Sequence, residues 1–140
     1  MSHALFQPIT DRADEIVDFL MHTEEVLAHP SLAYSIRLSC EEIIVNIISY
    51  AYPAGTAGYI WLSVTKEKKC LRIEVRDGGV PFNPIERQDP DISQELEERE
   101  IGGLGIFLVL QNMDNVEYRY EGGENKLILR KKIEDGGSNG

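Results

Sequence analysis

The sequence predicts an α+β fold: a mixed, mostly antiparallel sheet covered on one face by about three helices, a two-layer sandwich. Three observations predict it. Two pairs of strand-like segments are each joined by a tight turn, the mark of hairpins rather than of parallel crossovers. Three stretches carry apolar residues at helical spacing, two before the first hairpin and one before the second. A length of 140 residues, with 42% hydrophobic and 27% charged content, builds one sizeable core rather than two. A single domain over 1–133 follows, with 134–140 (EDGGSNG) as a disordered tail that has nothing to bury.

Each element has its own reason. Residues 4–9 (ALFQPI) read as a strand. A helix from Asp11 to Ala28 follows, with Thr10 or Asp11 as N-cap and Ile16, Val17, Leu20, Met21 and Leu27 as its inner stripe. Pro30 and Ser31 open a second helix running to Tyr52, in which Leu32, Ile36, Cys40, Ile43, Ile47 and Ala51 form a buried face. The run from Pro53 to Gly58 breaks it. Residues 59–67 and 70–77 form the first hairpin around a tight basic turn. Residues 78–101 hold turn signals, three prolines and an acidic run, and read as a long loop. Residues 103–113 read as an apolar helix with glycines at its start, and 116–133 as the second hairpin.

The bulk properties exclude several classes. The formal net charge of −10 argues against a nucleic-acid backbone as partner, though not against a phosphate held by helix N-termini or by a metal ion. No apolar run is long enough to span a bilayer, and no signal-peptide pattern opens the chain, so the cytoplasm is the expected compartment. Cys40 and Cys70 fall inside periodic apolar segments and read as small buried hydrophobes; His3, His22 and His29 show no ligand spacing with them.

Three motifs carry chemistry. In EEIIVNIISYAY (41–52), Asn46 is a poor helix former at a mid-helix position. Glu42 is one turn before it on the same face, whereas Glu41 lies about 140° away. Ser35, Leu38, Ser39, Glu42, Asn46 and Ser49 make a short-sided, cation-free strip, suited to a polar ligand or to magnesium and its waters. A satisfied, partly exposed polar stripe would read the same way. In VRDGGVPFNP (75–84), Asp77 ends a strand where it can accept from an exocyclic amine, and Gly79 lets a flat ring approach the backbone; an Asp-Gly turn closing a strand also fits. In IGGLGIFLV (101–109), Gly102, Gly103 and Gly105 lead into a helix whose amides can cradle phosphate, or they hinge the preceding loop. This is neither a Walker A loop nor a dinucleotide fingerprint.

Taken in order, Glu42-x-x-x-Asn46, Asp77-x-Gly79 and Gly103-x-Gly105 resemble the N, G1 and G2 boxes of the GHKL ATP-binding superfamily, which has the Bergerat fold. The form DGGVPFNP and the C-terminal portion are similar to the branch of single-domain anti-sigma factors that are also serine kinases, over roughly residues 10–132. The resemblance implies that Asn46 coordinates a magnesium ion bridging the ATP phosphates, that Glu42 holds a water or acts as base, and that Asp77 receives the adenine amino group while Gly79 gives room for the ring. It implies a lid from Asn83 to Ile101 that Gly102, Gly103 and Gly105 close onto the phosphates. The partners implied are an anti-anti-sigma (STAS) protein and a sigma factor or comparable target, with a homodimer as the expected assembly. A non-catalytic, ATP-dependent binding module and a detached histidine-kinase ATP domain stay open. The acidic run 94–100 reads as a solvated helical face. One departure stands out: many superfamily members place a lysine three residues after the asparagine, where this chain has Ser49. Arg76 and Arg87 are near the motifs in sequence only.

Overall fold

The computed structural model describes residues 1–52, 57–83 and 101–133, and only the backbone of 101–106. The expected break at 53–56, the lid segment 84–100 with Arg87 and the acidic run, and the tail 134–140 lie outside the described residues. The elements are β1 (Ser2–Phe6), α1 (Ala13–Met21), α2 (Glu24–Leu27), α3 (Ala33–Asn46), β2 (Ile60–Lys66), β3 (Cys70–Asp77), α4 (Ile101–Asn112), β4 (Asn115–Glu121) and β5 (Glu124–Lys132). A 3₁₀ turn at Pro30–Leu32 enters α3, and a π-helical turn at Ile47–Ala51 extends it.

The strands form one sheet in the order β1-β2-β3-β5-β4, antiparallel at each described pairing. Alternation sorts the side chains onto two faces. Ile60, Leu62 and Val64 of β2, Leu71, Ile73 and Val75 of β3, and Leu127 and Leu129 of β5 point inward and join Ile16, Leu20, Ile36, Cys40 and Ile43 of the helices in one core. Fully burying such an aliphatic side chain stabilises the fold by about 1.5–3 kcal/mol. The opposite face is polar, with Glu74 of β3 only 4% exposed and clasped by Arg72 and Arg76. Arg76 also lies over the Trp61 ring at 4.4 Å. Asp77 continues the inward phase of β3 and pairs in register with Asn125 of β5, so these two polar residues stand at one end of the core face.

The helix expected over 11–28 is two helices. Thr23 adopts an extended conformation between them; its hydroxyl donates to the Leu20 carbonyl at 2.8 Å and accepts from the Val26 N–H at 3.4 Å, capping α2. The break changes the helical phase, so Val26 is buried and Leu27, expected inside, is 60% exposed. The first helix begins at Ala13 with Arg12 in the N-cap position, not Thr10 or Asp11. The stripe of the second helix is as expected: Leu32, Ile36, Cys40, Ile43, Ile47 and Ala51 are all buried. Cys40 is wholly buried, but Cys70 is half-buried and its thiol donates to Glu67 at 3.3 Å.

Candidate functional site

Asn46 closes the α-helical part of α3 and does share a face with Glu42. Its Nδ2 donates to the Glu42 main-chain carbonyl at 2.7 Å and to Glu42 Oε2 at 2.8 Å. Asn46 is 1% exposed, and its Oδ1 has no hydrogen-bond partner among the described residues; the buried Ser39 Oγ, two turns earlier on the strip, shares that state. Leaving such an oxygen unpaired costs about 1–3 kcal/mol, which a donor or cation reaching it would recover. Glu42 is partly buried, and desolvation raises its pKa against the opposing hydrogen bond from Asn46. Among the described residues no group of three or more His, Cys, Asp or Glu could hold a metal ion. The Asn46 oxygen nevertheless fits magnesium, which takes few protein oxygens and fills its remaining positions with water and phosphate.

Asp77 is 2% exposed at the end of β3, and its Oδ1 accepts from the Gly79 N–H at 2.9 Å and from Asn125 Nδ2 at 2.9 Å. Burial raises its pKa, the bonds from Asn125 and Gly79 oppose that rise, and the nearby Glu124 adds to it. Gly79 is closed to a side chain by the protein itself. A Cβ there would sit 2.2 Å from the carbonyl oxygen of Ala51, so the space is taken by the last residue of the π-turn. The next amide, Val80 N–H, donates to that same oxygen at 2.8 Å. Tyr52 adds a second tie, its hydroxyl accepting from the Gly78 N–H at 2.8 Å and donating to the Tyr59 carbonyl at 2.9 Å. The end of the α3–π segment is thus bolted to the turn after β3.

The glycines of the third motif lie on α4, which packs against α3. Ser35, near the start of α3, donates to Asn112 Oδ1 at 3.1 Å at the end of α4, and the two helices pack along each other, so they run antiparallel. Ile101 lies eleven residues before Asn112, so α4 runs back along α3 in the direction of its Asn46 end, and Gly102, Gly103 and Gly105 fall in the described part of α4 farthest from Asn112.

The Ala51 carbonyl ties the segment that carries Glu42 and Asn46 to the turn that carries Asp77 and Gly79, while Gly102, Gly103 and Gly105 lie on α4, which packs against α3. Arg76 faces the opposite side of the sheet. No Lys or Arg is among the described groups that shift Glu42 or Asp77. Sequence reasoning missed Asn125, which bonds Asp77, and Tyr52, which ties the turn. Asn125 had a signal, since it is a polar residue in phase with the inward Leu127 and Leu129. Tyr52 had none, because its partners are main-chain atoms distant in sequence.

The histidine kinase-like ATPase domain family matches residues 8–131. Among curated proteins, the chain is 26% identical over 98 residues to the serine/threonine-protein kinase BtrW of Bordetella bronchiseptica, covering 70% of this chain and 69% of that one. It is 28% identical over 108 residues to the serine-protein kinase RsbW of Listeria monocytogenes (71% and 69% covered) and 28% identical over 99 residues to the anti-sigma F factor of Clostridium acetobutylicum (70% and 68% covered). Among solved structures, the histidine kinase AdeS of Acinetobacter baumannii superposes with a TM-score of 0.51 at 13% identity over 96% of this chain and 69% of that one. The histidine kinase domain of the Erythrobacter litoralis EL346 blue-light activated kinase gives 0.51 at 18% over 73% of this chain, and the match spans 45% of that chain. At these identities the superpositions speak for the fold alone. With its five-stranded antiparallel sheet and a family match that spans residues 8–131, the chain belongs to the histidine kinase-like ATPase domain family.

Proposed function

We propose that this chain binds magnesium ATP where α3, the turn after β3 and the start of α4 meet, and transfers the γ-phosphoryl group to a serine or threonine of a small STAS protein. The observation that carries the reading is the unpaired, buried Oδ1 of Asn46 on a segment that the Ala51 carbonyl ties to the turn after Asp77. In this reading Asp77 accepts the adenine amino group, Gly79 shapes the base site by letting the turn meet Ala51, and the amides of Gly102 and Gly103 donate to the phosphates. Gly105 allows close approach. A magnesium ion on Asn46 Oδ1 neutralises phosphate charge. The substrate hydroxyl oxygen bonds to the γ-phosphorus as the bond from phosphorus to the bridging oxygen of ADP breaks, and the hydroxyl proton passes to the Glu42 carboxylate. The relatives named serine-protein kinase and anti-sigma F factor support extending the reading to a partner switch that also sequesters a sigma factor or a comparable target; a homodimer in the cytoplasm is the assembly and compartment this reading carries.

The test is transfer of labelled γ-phosphate to the cognate STAS protein by the pure pair. An acid-stable label is expected, lost in Glu42→Gln while ATP binding persists. A module that binds ATP without transfer is the second reading. Normal ATP binding with no transfer would establish that alternative, and an acid-labile label on a histidine would establish a detached histidine-kinase domain.

A further inference from the structure

Asn125 has every hydrogen-bonding position in use. It is 3% exposed, and its Nδ2 donates to Asp77 Oδ1 at 2.9 Å and to the Val80 carbonyl at 2.8 Å. Its Oδ1 accepts from the Phe82 N–H at 2.9 Å and from the Tyr118 hydroxyl. These partners fix the amide orientation: flipped, the carbonyl would face a carboxylate and a carbonyl, and the NH₂ would face an N–H. No capacity remains for a ligand, so Asn125 acts through Asp77 and the turn.

We infer that Asn125 is a positioning residue that makes the site choose 6-amino over 6-oxo purines, by holding Asp77 as a pure hydrogen-bond acceptor. The inference rests on the ATP reading above. An ionised carboxylate only accepts, which matches the amino group of adenine; a protonated one also donates, which matches the carbonyl of hypoxanthine. Opposing influences act on Asp77. Burial and the carboxylate of Glu124, whose own partner is the Tyr59 hydroxyl, favour protonation; the donors from Asn125 and Gly79 favour the charged form. The Gly79 donor is local to the turn and survives most substitutions elsewhere. The Asn125 donor comes from across the sheet, and it is the one a side-chain change removes.

The experiment measures calorimetric affinities of the full chain for magnesium ATP and magnesium ITP. The wild type is expected to prefer ATP by at least about tenfold, one hydrogen bond's worth between buried partners. Asn125→Leu removes the donor and should bring the two affinities to within about threefold, whatever the common loss. The isosteric Asn125→Asp guards against a folding failure: two carboxyls must then share a proton, and the preference should fall likewise. Tyr118→Phe takes a donor from Asn125 Oδ1 but leaves its Nδ2 bonds, and should keep the wild-type ratio. A wild type that binds ITP as well as ATP, or Asn125 variants that weaken both nucleotides in proportion, would overturn the inference while leaving the ATP reading standing. A wild type that binds neither nucleotide would overturn both.

Discussion

Asp77 and Glu42 are carboxyls that folding makes less acidic, each chiefly through desolvation. A folded-state pKa above the unfolded value means that the native state binds the proton more tightly, so this contribution to stability is present at low pH and is lost as pH rises through the folded pKa. Asp77→Asn should therefore abolish ATP binding yet be at least as stable as wild type at pH 7, because an asparagine oxygen can still accept from Gly79 and Asn125. The two proteins should converge as pH falls toward the ordinary value of 3.8, which urea titrations at several pH values would check. A wild type clearly more stable than the variant at pH 7 would contradict the assigned burial cost. At this scale Asn46 and Asp77 were legible because each breaks a local expectation, a poor helix former inside a helix and a charge at the end of an apolar strand. The unpaired Asn46 oxygen and the Asn125 bond were not, since their surroundings come from residues far away in the chain.

The α3 segment joins three helical geometries, and its π-turn matters most. Wider turns of this kind are rare and cluster at functional sites. Here the turn delivers the Ala51 carbonyl against Gly79 and Val80, linking the element that carries Asn46 to the one that carries Asp77. Gly79→Ala would force two main-chain segments apart, so a loss of about 1–3 kcal/mol is expected. Gly122→Ala is the useful comparison, since a Cβ there meets nothing within 4 Å and the cost is only that of its positive φ of 60°. Denaturant melts of both variants give the answer; a Gly79→Ala protein as stable as wild type would refute the packing explanation. Helix and strand identities followed from periodicity, which depends on which face is buried. The split at Thr23 did not, because the apolar stripe reads through the break and only the capping geometry reveals it.

At the scale of the whole molecule, the two faces of the sheet divide the labour. One carries the core and ends in Asp77 and Asn125; the other holds Arg72, Glu74 and Arg76 in mutual ion pairs. No helix among the described residues is long and apolar enough to cross a membrane. Because the site spans α3, the turn after β3 and α4, a ligand there should stabilise the entire domain. Magnesium ATP at a hundred times its Kd should add about 2.7 kcal/mol, seen as roughly a 10 °C rise in Tm. Asn46→Ala should retain its helical circular dichroism, since alanine is the better helix former, and lose the magnesium-dependent part of that rise. An undiminished rise in the variant would remove Asn46 from the metal site.

The sequence by itself determined the two-layer α+β architecture with a mostly antiparallel sheet, the buried stripe of α3 and the pairing of Glu42 rather than Glu41 with Asn46. All of these depend on period and spacing along a single element. Only the tertiary structure decided that Gly79 answers to Ala51, that Asn125 holds Asp77, and that Arg76 serves the opposite face. Those facts turn on how separate elements approach one another, and no local periodicity encodes the distance between a helix end and a strand end.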